Sequence, residues 1–209
     1  MKLPRLSTTS YAVLSLLAVR RWTTYELAQQ MQRSLRDMWP RAESVVYEEP
    51  KRLTAARLAK ATVQHTGRRA STVYTITAAG RRALRNWFDQ PGAGPVLEFE
   101  ALLQVAFADH GTHEQLVRTL QAIRDEAERR CEHARTRVDE YAQTGGPYPQ
   151  RLPVVALAAR FHVLQAETLL HWALWALDEV SEWTGTTPQT GARVPASAFQ
   201  PPATHGTQA

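Results

Sequence analysis

The feature that most restricts this chain is a break. Gln90-Pro91-Gly92-Ala93-Gly94-Pro95 places two prolines and two glycines within six residues. No regular helix or strand crosses such a run, because proline removes a backbone donor and glycine costs backbone entropy. The charge changes sign at the same point. Residues 1–90 hold 16 Lys+Arg against 6 Asp+Glu, a net +10, while residues 91–209 hold 9 against 14, a net −5. The formal +5 of the whole chain is therefore an average over a basic head and an acidic body. Such asymmetry points to an anionic partner for the head. The length suits two units of about 100 residues each, which we place at 1–90 and 96–184, followed by a tail at 185–209.

Several classes fall away. At 44% hydrophobic residues the chain can bury a core, which excludes global disorder. A single cysteine, Cys131, allows neither an internal disulfide nor a cysteine-cluster zinc site. A reducing cytoplasm is the simplest setting. MKLPRLSTTS lacks an apolar run after its positive charge, so it does not read as a signal peptide. The apolar stretch Leu152–Leu177 is interrupted by Arg160, His162, Gln165, Glu167 and His171, against a membrane span of about 20 apolar residues.

In the head, Thr8–Ala18 is a short, largely buried helix with Tyr11, Val13, Leu14, Leu16 and Leu17. Thr23 and Glu26 form a capping box opening a second helix, along which Leu27, Met31 and Leu35 recur at helical spacing up to Trp39-Pro40. A third helix covers Glu43–Leu58. Stepping about 100° per residue from Leu53 puts Val46, Glu49, Pro50, Ala56 and Arg57 on the buried side. Ser44, Tyr47 and Lys51 then line the outer face, with Arg52 and Thr54 at its edges. Pro50 predicts a kink or break near Tyr47–Pro50. Ala61–Gln64 and Ser71–Ile76 are β-prone runs flanking the basic tip His65-Thr66-Gly67-Arg68-Arg69, a hairpin signal. Thr77 caps a fourth helix, Ala78–Phe88.

In the body, Glu98–Ala108 is a short apolar helix. Thr112 and Gln115 make a second capping box at the start of a long helix to about Tyr141. Its stripe of Leu116, Leu120, Ile123, Ala127, Ala134, Val138 and Tyr141 has coiled-coil spacing. The last helix, Leu152–Trp183, is apolar around most of its circumference, so it needs cover on several sides. The body has few elements to supply that cover, and a second copy of the chain is the natural source. After Thr184 the composition of Pro, Gly, Thr and Gln reads as a disordered tail.

The order helix, helix, helix, basic hairpin, helix is that of a winged helix-turn-helix. The fold class is mainly α, with a short two-stranded β-wing and a C-terminal helical dimerisation domain. The head also resembles the PadR-like transcriptional regulators. That resemblance rests on Tyr11-Ala12-Val13-Leu14-Ser15-Leu16-Leu17, Thr24-Tyr25-Glu26-Leu27-Ala28, Ser34–Pro40, Ser44-Val45-Val46-Tyr47-Glu48-Glu49, Lys51-Arg52-Leu53, Gly67-Arg68-Arg69 and Val73–Arg81. It covers about residues 8–88. The second half is similar only as a helical region of the kind that family uses to dimerise. Pro50, where leucine is common, and Arg57, where a glycine is common shortly before the hairpin, depart from the family pattern.

The resemblance implies a repressor whose DNA affinity a small molecule changes. Basic side chains bind phosphates, and a recognition helix reads base edges in the major groove. The DNA-binding candidates are Tyr25, Arg41, Ser44, Tyr47, Lys51, Arg52, Arg68 and Arg69, with Lys2 or Arg5 as further backbone contacts. Tyr47 equally suits a packing role. A two-fold dimer would read a pseudo-palindromic double-stranded operator with recognition helices about 34 Å apart. Trp87, Phe161, Trp172 and Trp175 offer a cavity for a small aromatic effector, although aromatic residues at helical spacing are more often core. No cofactor or metal set is expected: Glu167 and His171 make one pair, short of a ligand set. Nor does the helical half offer a convergent nucleophile and base, so the chain does not read as an enzyme. The alternative reading is a protein–protein adaptor on a winged-helix scaffold, motivated by Glu48 and Glu49 as outward acids and by Pro50.

Overall fold

A computed structural model describes residues 6–35, 39, 43–66 and 69–199. They fall into two compact units, Met1–Pro95 and Val96–Ala209.

The first unit is built on α1 (Thr8–Val19). Ser7 and Ser10 cap it reciprocally, satisfying two orphan backbone donors. Val13, Leu14, Leu16 and Leu17 are buried and face α3, α4 and the sheet. A two-residue strand, β1 (Trp22–Thr23), precedes α2 (Thr24–Ser34). The expected Thr23–Glu26 capping box opens α2. The hairpin strands are β2 (Ala59–Thr66) and β3 (Arg69–Ile76), and α4 is Ala78–Phe88. The sheet order is β1-β3-β2, all antiparallel, with Trp22 opposite Tyr74. The wing sheet thus has three strands rather than the expected two. The Trp22 indole N–H donates to the Leu16 carbonyl at 2.7 Å, anchoring the extra strand beneath α1.

Helix α3 spans Glu43–Ala55 and continues through Pro50, so of the expected kink or break there is no break. The Pro50 ring is fully buried, so apolar burial offsets the missing backbone bond. Helix α3 also ends earlier than expected. The Leu58 N–H donates to the Leu53 carbonyl and the Arg57 N–H to that of Thr54, both at 2.9 Å. This is a Schellman ending, and its left-handed residue is Arg57, at φ 60°. Both Leu53 and Leu58 are buried, as that motif favours. The Leu58 carbonyl then accepts the backbone N–H and the hydroxyl of Thr77, each at 3.0 Å. A Cβ placed on Gly80 would lie 2.2 Å from the same oxygen, so only glycine lets α4 approach this closely.

The second unit consists of α5 (Glu100–Ala106), α6 (His113–Thr144) and α7 (Leu152–Ser181), with a 3-10 turn after α5 and another before α7. The Thr112–Gln115 capping box opens α6 as expected, and left-handed Gly145 closes it. His113 at the start of α6 bonds the Val180 carbonyl near the end of α7 at 2.8 Å, so the two helices run antiparallel. Leu116, Leu120 and Ile123 pack against Ala173, Ala176 and Val180. The first part of the coiled-coil stripe is therefore consumed inside the chain. The expected disordered tail begins instead with local order. A 3-10 turn covers Pro188–Thr190, the Thr184 hydroxyl donates to the Thr190 carbonyl, and the Trp175 indole donates to Ser197. Residues beyond Phe199 lie outside the described part.

Candidate nucleic-acid interface

Helices α2 and α3 form the helix-turn-helix pair. Periodicity places Tyr25, Gln29, Gln32 and Arg33 along one side of α2. Together with Ala28, and with Tyr47 from α3, they line an open depression of about 600 Å³. Tyr25 is 62% exposed, and its phenol oxygen accepts a hydrogen bond from the Gln29 side-chain amide at 2.8 Å. That bond leaves the phenol proton to donate outward, the polarity a phosphate oxygen needs. Tyr47 is half-buried at the edge of the depression, so packing and outward contact share the side chain. Gln29 and Gln32 were absent from the sequence candidates, although their spacing of four and seven from Tyr25 was available as a signal.

Further along α3, Lys51 is exposed as expected, but it is not solitary. Its ammonium bonds Glu48 at 2.7 Å on the same open face. That hydrogen bond raises the Lys51 pKa, with attraction to the Glu48 charge as the next cause. Contact with a phosphate through Lys51 therefore exchanges one anionic partner for another. The Arg52 side chain is 69% exposed, and its guanidinium bonds Glu49 at 3.0 Å. Glu49 itself is buried, 2% exposed. The adaptor reading used Glu49 as an outward acid; the structure corrects this, and Glu48 alone is left on the outer face.

Arg41 and Arg68 lie outside the described residues. Ser44 sits in the first turn of α3, and Arg69 pairs with Thr66 across the hairpin. The α2 helix start beside this surface is held by Glu26, whose carboxylate accepts the Thr23 N–H at 2.7 Å and pairs with Arg20 at 3.0 Å. The Thr23 backbone bond is the main cause of its lowered pKa. The Arg20 guanidinium also sits 3.5 Å above the Trp22 ring, joining the same corner to β1.

The proposed effector residues do not converge within the second unit. Phe161 is 54% exposed against His162, whereas Trp172 packs on the α6–α7 core and Trp175 bonds Ser197. Phe161 and Trp172 stand about 16 Å apart along the helix axis. Trp87 belongs to the first unit, stacked on Tyr11 at 4.9 Å. Cys131 is buried, which pushes its thiol pKa up and away from reactivity. Among the described residues no cluster of His, Cys, Asp and Glu could hold a metal ion. Among them, too, no helix is long and apolar enough to cross a membrane.

The family model described as transcriptional regulator PadR-like matches residues 13–86, and the model described as virulence activator alpha C-term matches residues 99–181. Residues 13–86 are thus a PadR-like domain. Among solved structures, Bacillus subtilis PadR in complex with operator DNA is 16% identical, at a TM-score of 0.74 covering 84% of this chain and 100% of that one. The same Bacillus subtilis protein in complex with p-coumaric acid is 17% identical, with TM-score 0.67 and the same coverage of both chains. The Vibrio cholerae virulence activator AphA is 25% identical, with TM-score 0.62, covering 82% of this chain and 96% of that one. No curated protein matches the sequence. This PadR-like chain is thus a DNA-binding transcriptional regulator with a winged helix-turn-helix fold and a C-terminal helical region.

Proposed function

We propose that this PadR-like regulator acts as a homodimeric repressor. Each head would set α3 against one half of a pseudo-palindromic operator, and the helical units would pair. One observation carries the dimer. Val154, Leu157, Phe161 and Leu164 recur at steps of three, four and three on α7 and are all exposed, Leu157 at 74%. An apolar stripe of that spacing is the seam of a helix–helix contact. Repression rests on the family resemblance.

Lys51, Arg52 and Tyr25 would meet phosphates, with Ser44 and Tyr47 nearer the base edges, and Arg41, Arg68 and Arg69 adding charge around them. The domains divide at 1–90 and 96–184, and the cytoplasm is the working compartment. A small aromatic effector, of the class seen in the p-coumaric acid complex, would act by binding DNA-competent and DNA-incompetent dimers unequally.

A gel shift with the duplex upstream of its own gene tests the reading. A shift that resists competitor DNA, together with a two-copy stoichiometry, is the expected result. Lys51→Ala should flatten the salt dependence by about one unit in log K against log salt. Absence of a specific shift at every salt concentration would sink the proposal.

A further inference from the structure

The recognition helix carries a carboxylate where a polyanion-binding surface gains nothing from one. Glu49 is 2% exposed, beneath the face that presents Lys51 and Arg52. Its Oε1 accepts the Ser10 hydroxyl at 2.5 Å, and its Oε2 accepts Arg52 Nη1–H at 3.0 Å. Ser10 is 1% exposed and already fixed by the α1 capping box, through the Ser7 N–H to its Oγ and its own N–H to Ser7 Oγ, each at 3.1 Å. The outer end of this chain of bonds is an exposed guanidinium.

A carboxylate buried this deeply is costly unless it is paired on both oxygens, and here each oxygen has a partner. One partner is a fixed point on α1. The other is the mobile end of a long side chain. Glu49 thus transmits the position of α1 to Arg52. We propose that Glu49 is a positioning residue for DNA binding. It holds Arg52 against α3, and the guanidinium donors not spent on Glu49 reach a backbone phosphate without first having to be ordered. This inference rests on α3 being the DNA-facing helix.

The sign of one substitution separates this role from plain electrostatics. Glu49→Gln removes a negative charge beside DNA, so a charge effect alone would strengthen binding. Loss of positioning weakens it, by about three- to tenfold, the cost of ordering one flexible side chain at an interface. Glutamine keeps the shape and an oxygen for the Ser10 bond.

The test measures full-chain affinity for two duplexes, the one upstream of its own gene and a random sequence at low salt. Wild type, Glu49→Gln, Arg52→Ala and the double variant complete a cycle. The expected result is weaker binding of both duplexes by Glu49→Gln, and no further loss from it once Arg52 is alanine. Unchanged or tighter binding, or the same loss in the Arg52→Ala background, would overturn the inference. Should Glu49→Gln not fold, Arg52→Lys keeps the charge on an exposed side chain but loses the fork. A comparable loss is expected there, and wild-type affinity would refute the role. Absence of any specific shift by wild type would instead count against the repressor reading, while the random duplex still reports on Glu49.

Discussion

The two units solve the problem of burial differently. In the first, short helices and a small sheet surround α1, and buried polar groups such as Ser10 and Glu49 find partners within the unit. In the second, the 30-residue α7 buries only Ala166, Ala173, Ala176 and Val180, while its N-terminal half keeps large apolar side chains in water. In the body, α7 has one face packed against α6 and one apolar face left exposed. The exposed apolar face of α7 is where the proposed pairing of two copies can be tested.

The largest expected effect breaks this contrast at the body. Leu157→Glu with Phe161→Glu should cost the dimer about 3–6 kcal/mol per copy, from two large side chains on each that no longer leave water. Light scattering after gel filtration should then show single copies, with the helix content unchanged because both residues are exposed in the isolated chain. A dimer that survives both charges would place the interface elsewhere.

Next comes a substitution that should damage the head alone. Gly80→Ala drives a methyl group into the Leu58 carbonyl and should destabilise the head by about 1–3 kcal/mol, as overpacking does. Urea unfolding should show an earlier first transition with light-scattering mass unchanged. The reverse sign is expected at Arg57, whose φ of 60° suits glycine. Arg57→Gly should stabilise the head by up to about 1 kcal/mol, read from the same urea curve, and an earlier transition would contradict the strain argument.

The smallest effect is a pH slope. The folded-state pKa of Glu26 is lowered from 4.5, chiefly by the Thr23 backbone bond. Its ionised form therefore stabilises the fold above that value, and the contribution is lost as pH falls through the lower folded pKa. Glu26→Gln should flatten the stability profile of the head on the acid side of 4.5 and leave the body's profile unaltered, as followed by thermal melts across pH.

The parts that could be read from sequence are those whose cause is local. A threonine with glutamate or glutamine three residues on, ahead of an apolar periodic run, signals a capping box, and both Thr23–Glu26 and Thr112–Gln115 form one. Periodicity put Lys51 on the outer face of α3, and its side chain is 60% exposed. What escaped depends on distant partners. Strand β1 has two residues, too few for any alternation, and exists because Trp22 meets Tyr74. The helical wheel put Glu49 on the buried side, but its polarity argued for water; the deciding partner, Ser10, lies on another helix. Arg57 hid a glycine-like conformation behind a side chain that rarely adopts one. Within the site, the exposure of Lys51 was legible, whereas the pairing of the α3 cations with Glu48 and Glu49 needed rotamers that no spacing rule supplies.

One carbonyl described above has a consequence for how the head opens. The oxygen of Leu58 receives two bonds from Thr77 and touches the site of Gly80, so the end of α3, the root of the wing and the start of α4 share a single fastening. None of them can fray without loosening the other two. The Thr77 amide should then exchange its hydrogen only when the entire head unfolds, making these elements one cooperative unit. Recognition helix and wing would come to a duplex as a single rigid tool, with their mutual angle already set before either touches it.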